Sequence, residues 1–168
     1  MKHCAVLHVE DEDASACLVR CALEEAQIPV CVYRVCDGEQ ALRFLRKQGQ
    51  YDVARTPDFV LLDLNLPKVD GWTVLGEMQQ SPSLSKIPVI VFTASSAPRD
   101  KTLAEKLGAR QYMTKPSNFE ALVHGMKSLC KEYWIPTGPP VGESGATVKD
   151  AGSKGSDEPF YLASQTVE

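Results

Sequence analysis

The sequence has little of what marks membrane, nucleic-acid-binding or lipid-anchored proteins. Its 168 residues contain no apolar run long enough to cross a bilayer, and no apolar signal core follows Met1-Lys2-His3. No basic run is present, and the formal net charge of −4 disfavours a nucleic-acid-binding surface. The chain also has no C-terminal lipidation motif. We therefore expect a cytoplasmic protein that binds neither a membrane nor a nucleic acid.

Cysteine pairs of the metal-binding type are missing as well. The six cysteines include no Cys-x-x-Cys motif, and they lie within apolar patterns, so we expect most of them to be small buried side chains. Cys17 and Cys21 share a helix face by spacing and could form a thiol pair, although two unlinked thiols are the simpler expectation. The three histidines form no ligand pattern. The sequence thus favours neither a disulfide framework nor a zinc site.

Short apolar strands alternate with amphipathic helices from Cys4 to about Tyr133. This alternation is typical of βαβ units, and it predicts an α/β fold with a doubly wound, five-stranded parallel sheet flanked by five helices. The strands are predicted at Cys4–Val9, Val30–Val35, Phe59–Leu62, Val89–Phe92 and Gln111–Met113. Residues 1–135 are assigned to one folded domain. Residues 136–168 are rich in Gly, Pro and Ser, and we expect them to form a disordered tail.

Turn and capping residues locate the helices. The second and third helices should follow Asp37-Gly38 and Asp70-Gly71, and a capping-box spacing at Ser117 to Glu120 should open the fifth. The first helix should begin with Asp13 as N-cap. Its apolar spacing predicts a buried face made of Ala14, Leu18, Cys21, Ala22 and Ala26.

Asp63 follows an apolar strand directly, in the segment Val60-Leu61-Leu62-Asp63-Leu64-Asn65-Leu66-Pro67. Open parallel sheets bind their ligands beyond the carboxyl ends of the strands, so a carboxylate at this point is presented for chemistry. Asp is also common after strands as a turn residue, and Asp63 alone does not distinguish the two explanations.

Polar side chains also follow the other strands of the predicted sheet. Glu10 and Asp11 follow the first strand, Thr93 the fourth and Lys115 the fifth, so all should meet Asp63 at one sheet edge. Each has an ordinary alternative role, as a cap, a strand-end hydroxyl or a solvated lysine. Their joint occurrence favours function. Three clustered acids repel one another, which predicts a hard divalent cation, most simply Mg²⁺. An aspartate nucleophile with a metal, a lysine and a hydroxyl is equipped to accept a phosphoryl group.

These residues resemble the receiver domains of two-component response regulators, which have a flavodoxin-like (CheY-like) fold with strand order 2-1-3-4-5. The resemblance spans Cys4 to about Trp134 and implies that residues 1–135 are the receiver domain. It makes Asp63 the phospho-acceptor, with Lys115 and Thr93 assisting, and Glu10, Asp11, Asp63 and the main-chain carbonyl of Asn65 the Mg²⁺ ligands. It further implies that Thr93 and Tyr112 form a conformational switch and that the Lys115–Pro116 bond is cis.

The segment through Leu61 to Leu75 is most similar to single-domain regulators of phytochrome-type bacterial histidine kinases. The resemblance implies a switch protein rather than a turnover enzyme, phosphorylated by a sensor histidine kinase and signalling to a downstream protein. A homodimer through the fourth helix, fifth strand and fifth helix is a further expectation, with Arg99, Lys101 and Arg110 as charge partners. Two alternatives remain open: a phosphorelay intermediate that passes phosphate to a histidine phosphotransfer domain, and a phosphorylation-independent binding module.

Two other classes of protein are disfavoured by specific residues. Haloacid-dehalogenase-type hydrolases carry a second acid two residues after the nucleophile, where this chain has Asn65. Dinucleotide-binding domains need a Gly-rich loop after the first strand, where this chain has Glu10-Asp11-Glu12-Asp13. Four acids would repel a pyrophosphate.

Overall fold

A five-stranded, all-parallel sheet organises the protein in the computed structural model, which describes residues 3–134. The strands β1 to β5 are Cys4–Val9, Val30–Val35, Phe59–Leu62, Val89–Thr93 and Gln111–Thr114. The helices α1 to α5 are Asp13–Glu25, Gly38–Leu45, Gly71–Gln80, Pro98–Lys106 and Phe119–Tyr133. The order β2-β1-β3-β4-β5 confirms the predicted flavodoxin-like fold. The predicted disordered tail, 136–168, lies outside the described residues.

The sheet is covered by helices on both faces. Strands β1, β3 and β4 are buried along their whole length, as expected for inner strands of a parallel sheet. Helices α2, α3 and α4 pack on one face, and α1 and α5 pack on the other. No helix within residues 3–134 combines the length and the apolar character that a bilayer crossing requires.

The buried face of α1 differs from the prediction. Leu18 is 53% exposed and Ala14 is exposed, whereas Ala16, Val19 and Leu23 are buried. Ala22 and Ala26 are buried as predicted. The apolar spacing of this helix fits two neighbouring faces, because small Ala and Cys side chains occur all round it, and packing against β2 and α5 selects one. The N-cap is Glu12 rather than Asp13, which is the first helical residue.

The expected burial of the cysteines is wrong for most of them. Cys4 and Cys130 are buried and close together, but Cys17 and Cys36 are exposed, and Cys21 and Cys31 are half-buried. All six are free thiols, and Cys17 and Cys21 lie side by side unlinked, the simpler of the two expectations. Apolar neighbours in the sequence were a poor guide here because four of the cysteines lie on α1 or around the edge strand β2.

The helix starts near the site follow the turn chemistry. Asp37 and Asp70 are the N-caps of α2 and α3, and each accepts a backbone hydrogen bond at 2.8 Å from three residues ahead. Helix α5 is capped by Asn118, one residue after the predicted Ser117. A Cβ on Gly71 would overlap the carbonyl oxygen of Asp63, so a glycine is needed where α3 approaches the end of β3.

Candidate functional site

The carboxyl ends of the strands carry the candidate site. Glu10 follows β1, Asp63 follows β3, Thr93 ends β4 and Lys115 lies just past β5. Because the strands are parallel, these ends meet at one edge of the sheet, as predicted. The structure brings Glu10, Asp11, Asp63 and Lys115 together.

Three carboxylates form a cluster at this edge. Oxygen atoms of Glu10, Asp11 and Asp63 all lie within 4.8 Å of one another. Glu10 is 1% exposed and Asp63 6%, whereas Asp11 is exposed. Clustered carboxylates in a partly buried setting repel each other unless a cation compensates, and an all-oxygen donor set suits hard divalent ions such as Mg²⁺ or Mn²⁺. The residues present therefore fit a divalent metal.

Lys115 bridges the two buried acids. Its Nζ lies 2.6 Å from Glu10 Oε2 and 2.8 Å from Asp63 Oδ2, and 5.8 Å from the centre of the Phe92 ring. Burial alone would lower the pKa of Lys115, but the hydrogen bonds to Asp63 and Glu10 outweigh it, and the net pKa is raised. The ammonium group is therefore firmly charged and lies directly against the carboxylate of Asp63.

Ser15 supports Glu10 from the first turn of α1. Its Oγ donates to Glu10 Oε2 at 2.9 Å, and the backbone N–H of Glu12 donates to Glu10 Oε1 at 3.1 Å. These donors hold the Glu10 side chain in a single orientation and stabilise its negative charge. Ser15 was not predicted from the sequence, although its place in the first turn after the acid pair was a usable signal.

Arg34 holds the backbone of the acid pair and was also missed. Its Nε donates to the Glu10 carbonyl at 3.1 Å and its Nη2 to the Asp11 carbonyl at 3.2 Å. Its Nη1 lies 2.7 Å from Asp13 Oδ1. Arg34 is paired with His8 in the register between β1 and β2, which puts it next to the β1–α1 connection. Sequence spacing alone does not reveal this register.

The β3–α3 loop carries Asn65 past the nucleophile candidate. The backbone N–H of Asn65 donates to Asp63 Oδ1 at 3.2 Å, and the Asn65 side chain is exposed. The N–H of Gly71 donates to the Leu64 carbonyl at 3.0 Å and closes the loop. Asp63 therefore offers Oδ2 to Lys115 and has its Oδ1 oriented by its own loop.

Thr93 and Tyr112 lie on the other side of the site. Thr93 is fully buried, its Oγ1 accepts a long hydrogen bond of 3.5 Å from the Ser95 N–H, and its carbonyl accepts from the Lys115 N–H at 2.8 Å. The Tyr112 hydroxyl donates to the Ser95 carbonyl at 2.8 Å. Thr93 and Tyr112 thus contact one segment, the β4–α4 loop, rather than the carboxylates. The expected cis Lys115–Pro116 bond is wrong, because the bond is trans, and Lys115 reaches both acids nonetheless.

A second ion pair, between Asp37 and Lys68, ties the β3–α3 loop to the start of α2. Lys68 Nζ lies 2.7 Å from the buried Asp37 Oδ2, and Lys68 has a left-handed backbone with φ of +61°. Burial alone would raise the pKa of Asp37, but the bonds from Lys68 and Gln40 outweigh it, and the net pKa is lowered. From the sequence, Asp37 was predicted only as a helix start, because its partner Lys68 is 31 residues away.

Replacing Asp37 with asparagine should destabilise the protein by about 1 kcal/mol near pH 7, since Asn keeps the N-cap but removes the charge that Lys68 needs. A lowered folded-state pKa means that this stabilisation is present above the unfolded pKa and is lost as pH falls through the folded value. The difference in the free energy of unfolding between wild type and variant should therefore have its full size above about pH 5 and vanish well below about pH 4. Urea unfolding across this range measures it. Asp52→Asn, at an exposed position, is the control, and an undiminished difference at low pH would contradict the assignment.

The comparison with protein families gives one match over most of the chain. Residues 6–127 match the family described as the response regulator receiver domain. Among curated proteins, the response regulator Rcp1 of Synechocystis sp. is 37% identical over 132 residues, which cover 79% of this chain and 89% of Rcp1. The probable methanogenesis regulatory protein FilR2 of Methanothrix harundinacea is 38% identical over 130 residues, covering 77% of this chain and 83% of that protein.

Solved structures of other response regulators are similar to this chain in both fold and sequence. The phosphorylated cyanobacterial phytochrome response regulator RcpA superposes with a TM-score of 0.74 at 36% identity, covering 83% of this chain and all of that one. The Mn²⁺-bound form of Rcp1 has a TM-score of 0.70 at 36% identity, covering 80% of this chain and 96% of the other. Receiver domains bind divalent metal, and this chain has the acidic cluster for it. The sheet order, the strand-end acids and these matches together establish that the chain belongs to the response regulator receiver domain family.

Proposed function

We propose that this protein accepts a phosphoryl group on Asp63 from the phosphohistidine of a sensor histidine kinase, in a Mg²⁺-dependent reaction, and thereby switches a partner-binding surface. The observation that carries the proposal is the environment of Asp63. Its Oδ2 lies 2.8 Å from the Lys115 ammonium, within a carboxylate cluster at the open end of the sheet. Such a carboxylate is a nucleophile with a fixed positive charge beside it.

The reaction follows from these groups. A carboxylate oxygen of Asp63 attacks the phosphorus, the P–N bond breaks, and its electron pair returns to the histidine imidazole of the kinase. The product on this chain is an acyl phosphate. Lys115 exchanges its contact with the Asp63 carboxylate for the incoming phosphoryl oxygens, where negative charge collects. Glu10 stays in place because Ser15 and the Glu12 N–H hold it independently of Lys115.

The metal would be held by Glu10, Asp11, Asp63 and the main-chain carbonyl of Asn65. When bound, Mg²⁺ neutralises charge on the transferring phosphoryl oxygens. Arg34 contributes by holding the carbonyls of Glu10 and Asp11, which leaves their carboxylates directed to the site. Arg34 is thus a positioning residue.

Intact-mass measurement after incubation with acetyl phosphate tests the proposal. Wild type should gain the mass of one phosphoryl group only when Mg²⁺ is present, and Asp63→Asn should gain none, because an amide is not a comparable nucleophile. Asp58→Asn, just before β3 and so at the opposite end of that strand from Asp63, is the matched control and should still be modified. Modification of Asp63→Asn to the wild-type extent, or no adduct in any condition, would overturn the proposal.

Thr93 and Tyr112 would transmit the effect of phosphorylation from Asp63 to the surface of the protein. A phosphoryl group on Asp63 offers acceptor oxygens to the Thr93 hydroxyl, which makes only a long bond in this structure. Movement of Thr93 would displace the Ser95 carbonyl that holds the Tyr112 hydroxyl, and so change the face formed by α4, β5 and α5.

Replacing Thr93 with alanine should leave Asp63 open to modification but should reduce the NMR shift changes in α4, β5 and α5 on phosphorylation by at least about half, since the coupling hydroxyl is gone. Mass measurement confirms equal phosphorylation before the spectra are compared. Thr73→Ala, at an exposed position of α3, is the control. If the phosphorylation-induced shift changes in Thr93→Ala are as large as in wild type, Thr93 is not part of the switch.

The partner kinase is proposed to be of the phytochrome type, because two of the most similar structures are named for response regulators of that pathway. The face formed by α4, β5 and α5 is also proposed to bind a downstream protein or a second copy of the chain. It exposes Leu103 and Phe119, each 42% exposed, and the charged Arg99, Lys101 and Arg110. Light scattering with and without an acyl-phosphate mimic tests the dimer, and a monomer in both states would exclude it.

A further inference from the structure

Two cysteine thiols lie side by side on α1 and take no part in the carboxylate cluster. Cys17 and Cys21 are four residues apart, which places them in successive turns on one face of the helix. Cys17 is exposed and Cys21 is half-buried, and their side chains interact directly. An ion in solution can therefore reach this thiol pair.

A second pair of thiols does not have this access. Cys4 on β1 and Cys130 on α5 also interact directly, but both residues are 0% exposed. An ion could reach them only if α5 moved away from the sheet. Of these two pairs, Cys17 and Cys21 are thus the one that is open to solvent.

The helical spacing of Cys17 and Cys21 disfavours a disulfide between them. Residues four apart in an α-helix have Cβ atoms about 5–6 Å apart, whereas a disulfide needs about 3.5–4.5 Å. An ion bridging the two sulfur atoms needs a wider separation, because two metal–thiolate bonds of about 2.3 Å in line place the sulfurs about 4.6 Å apart. The geometry of α1 therefore suits a bridging ion better than a covalent bond.

The type and number of ligands decide which ion suits the pair. Thiolates are soft ligands, which favour ions such as Cu(I) and Zn²⁺ over the hard Mg²⁺. Zn²⁺ sites in proteins have three or four protein ligands. Within residues 3–134, the one group of three or more candidate ligands is that of Glu10, Asp11 and Asp63, so no third ligand of this kind completes the thiol pair. Cu(I), which is stable with two thiolates in line, matches a set of two.

Arg20 provides a compensating charge for such a site. Binding of one Cu(I) ion to two thiols releases two protons and leaves a net charge of about −1. Burial and the contact with Cys17 raise the pKa of Cys21, so this thiol keeps its proton until an ion displaces it. The Nη2 group of Arg20 donates to Cys17 Sγ at 3.6 Å. The guanidinium therefore lies beside the negative charge that the bound ion would leave on the sulfurs.

We propose that Cys17 and Cys21 form a two-coordinate binding site for Cu(I), with one ion bridging their sulfur atoms on the surface of α1. The thiol pair has soft ligands and the carboxylate cluster has hard ones, so the two sites select different ions. The proposal does not depend on phosphorylation of Asp63.

Competition with the coloured Cu(I) chelator bicinchoninate tests the proposal. The reduced full chain is titrated into the Cu(I)–bicinchoninate complex without oxygen, and the loss of colour measures the ions transferred. We expect wild type to take one ion per chain. Cys17→Ser and Cys21→Ser should each weaken binding by about 100-fold or more, because each removes one of two ligands, and loss of a residue that only orients a ligand already costs roughly 10–100-fold.

Cys36→Ser, at another exposed cysteine, is the matched control and should bind Cu(I) as wild type does. An about tenfold excess of Zn²⁺ over the protein should not displace the ion. No transfer from the chelator to wild type, or wild-type affinity in Cys17→Ser, would overturn the proposal. Displacement by Zn²⁺ would also overturn it, since that result requires further ligands.

NMR titration with Ag⁺ locates the ion. Ag⁺ shares the preference of Cu(I) for two thiolates in line and does not change its oxidation state on binding. We expect the amide shifts to centre on α1 and to be complete at one equivalent. Cys4→Ala removes the buried thiol pair and should leave these shifts unchanged. Shifts centred on Cys130, or their loss in Cys4→Ala alone, would assign the ion to the buried pair and contradict the proposal.

Discussion

Replacing Lys115 with methionine should lower the rate of Asp63 phosphorylation by acetyl phosphate by about 100-fold or more, the loss seen when one preorganised charge-stabilising group is removed. Lys115 Nζ lies 2.8 Å from the attacking carboxylate, and no other cationic side chain of the described residues contacts Asp63. Methionine has a similar length without the charge. Lys115→Arg should also phosphorylate more slowly than wild type, because the planar guanidinium does not replace the compact ammonium group between Glu10 and Asp63.

The measurement is the pseudo-first-order rate of phosphoryl-adduct formation by intact mass at saturating Mg²⁺. Lys127→Met, on the exposed side of α5, is the matched control and should react at the wild-type rate. A rate for Lys115→Met within a few-fold of wild type would show that the ammonium is not needed for transfer.

The thermal stability of Lys115→Met provides a second test that does not depend on activity. Without Lys115 the carboxylates of Glu10 and Asp63 face each other with no cation, and loss of one partner from a buried ion pair destabilises strongly. A divalent ion that binds only the folded state would then supply the missing charge. MgCl₂ should therefore raise the thermal midpoint of Lys115→Met more than that of wild type. An equal increase would argue that metal and lysine do not share the carboxylates.

Replacing Gly71 with alanine should destabilise the protein by about 2–3 kcal/mol, the upper part of the range for overpacking a tight contact. A Cβ at this position would overlap the carbonyl of Asp63 and crowd Leu64, and both are backbone atoms that cannot rotate away. Because the overlap falls on Asp63 itself, relief of the contact would also move the phospho-acceptor. We therefore expect slower phosphorylation in the fraction that remains folded.

The same helix offers a matched control for this substitution. A Cβ on Gly76 in α3 would meet no atom within 4 Å, so Gly76→Ala should stabilise by about 0.5–1 kcal/mol through helix propensity. Urea unfolding of the two variants compares them directly. Equal effects of the two substitutions would mean that the approach of α3 to Asp63 is not tightly packed.

Strands were predicted better than helices because their signal is simpler. Strands β1 to β3 have the predicted bounds, and β4 and β5 are each one residue longer. Continuous apolar runs ended by polar residues leave few alternatives for a buried parallel strand. For α1 the 3.6-residue period allowed two neighbouring faces, and only contact with α5 and β2 distinguishes Leu18 from Val19.

The sequence predicted the acids and the lysine of the candidate site. It did not predict the residues that position them. Glu10, Asp63 and Lys115 each follow a predicted strand, so parallel topology was enough to bring them together. Ser15 and Arg34 act through contacts with Glu10 that depend on the entry angle of α1 and on the pairing of β2 with β1. The first-turn position of Ser15 was a usable signal, but no local pattern in the sequence specifies the strand register that brings Arg34 to this contact.

The sequence by itself determined the sheet, the order of its strands once the family resemblance was seen, and the polar residues at its carboxyl edge. The strands and their polar ends depend on local hydrophobicity and on where each strand stops, whereas the strand order followed from the family resemblance. The tertiary structure alone decided the buried face of α1 and the Asp37–Lys68 pair. Each of these depends on the distance and register between segments far apart in the chain, because side-chain contacts are set by packing that sequence spacing does not encode.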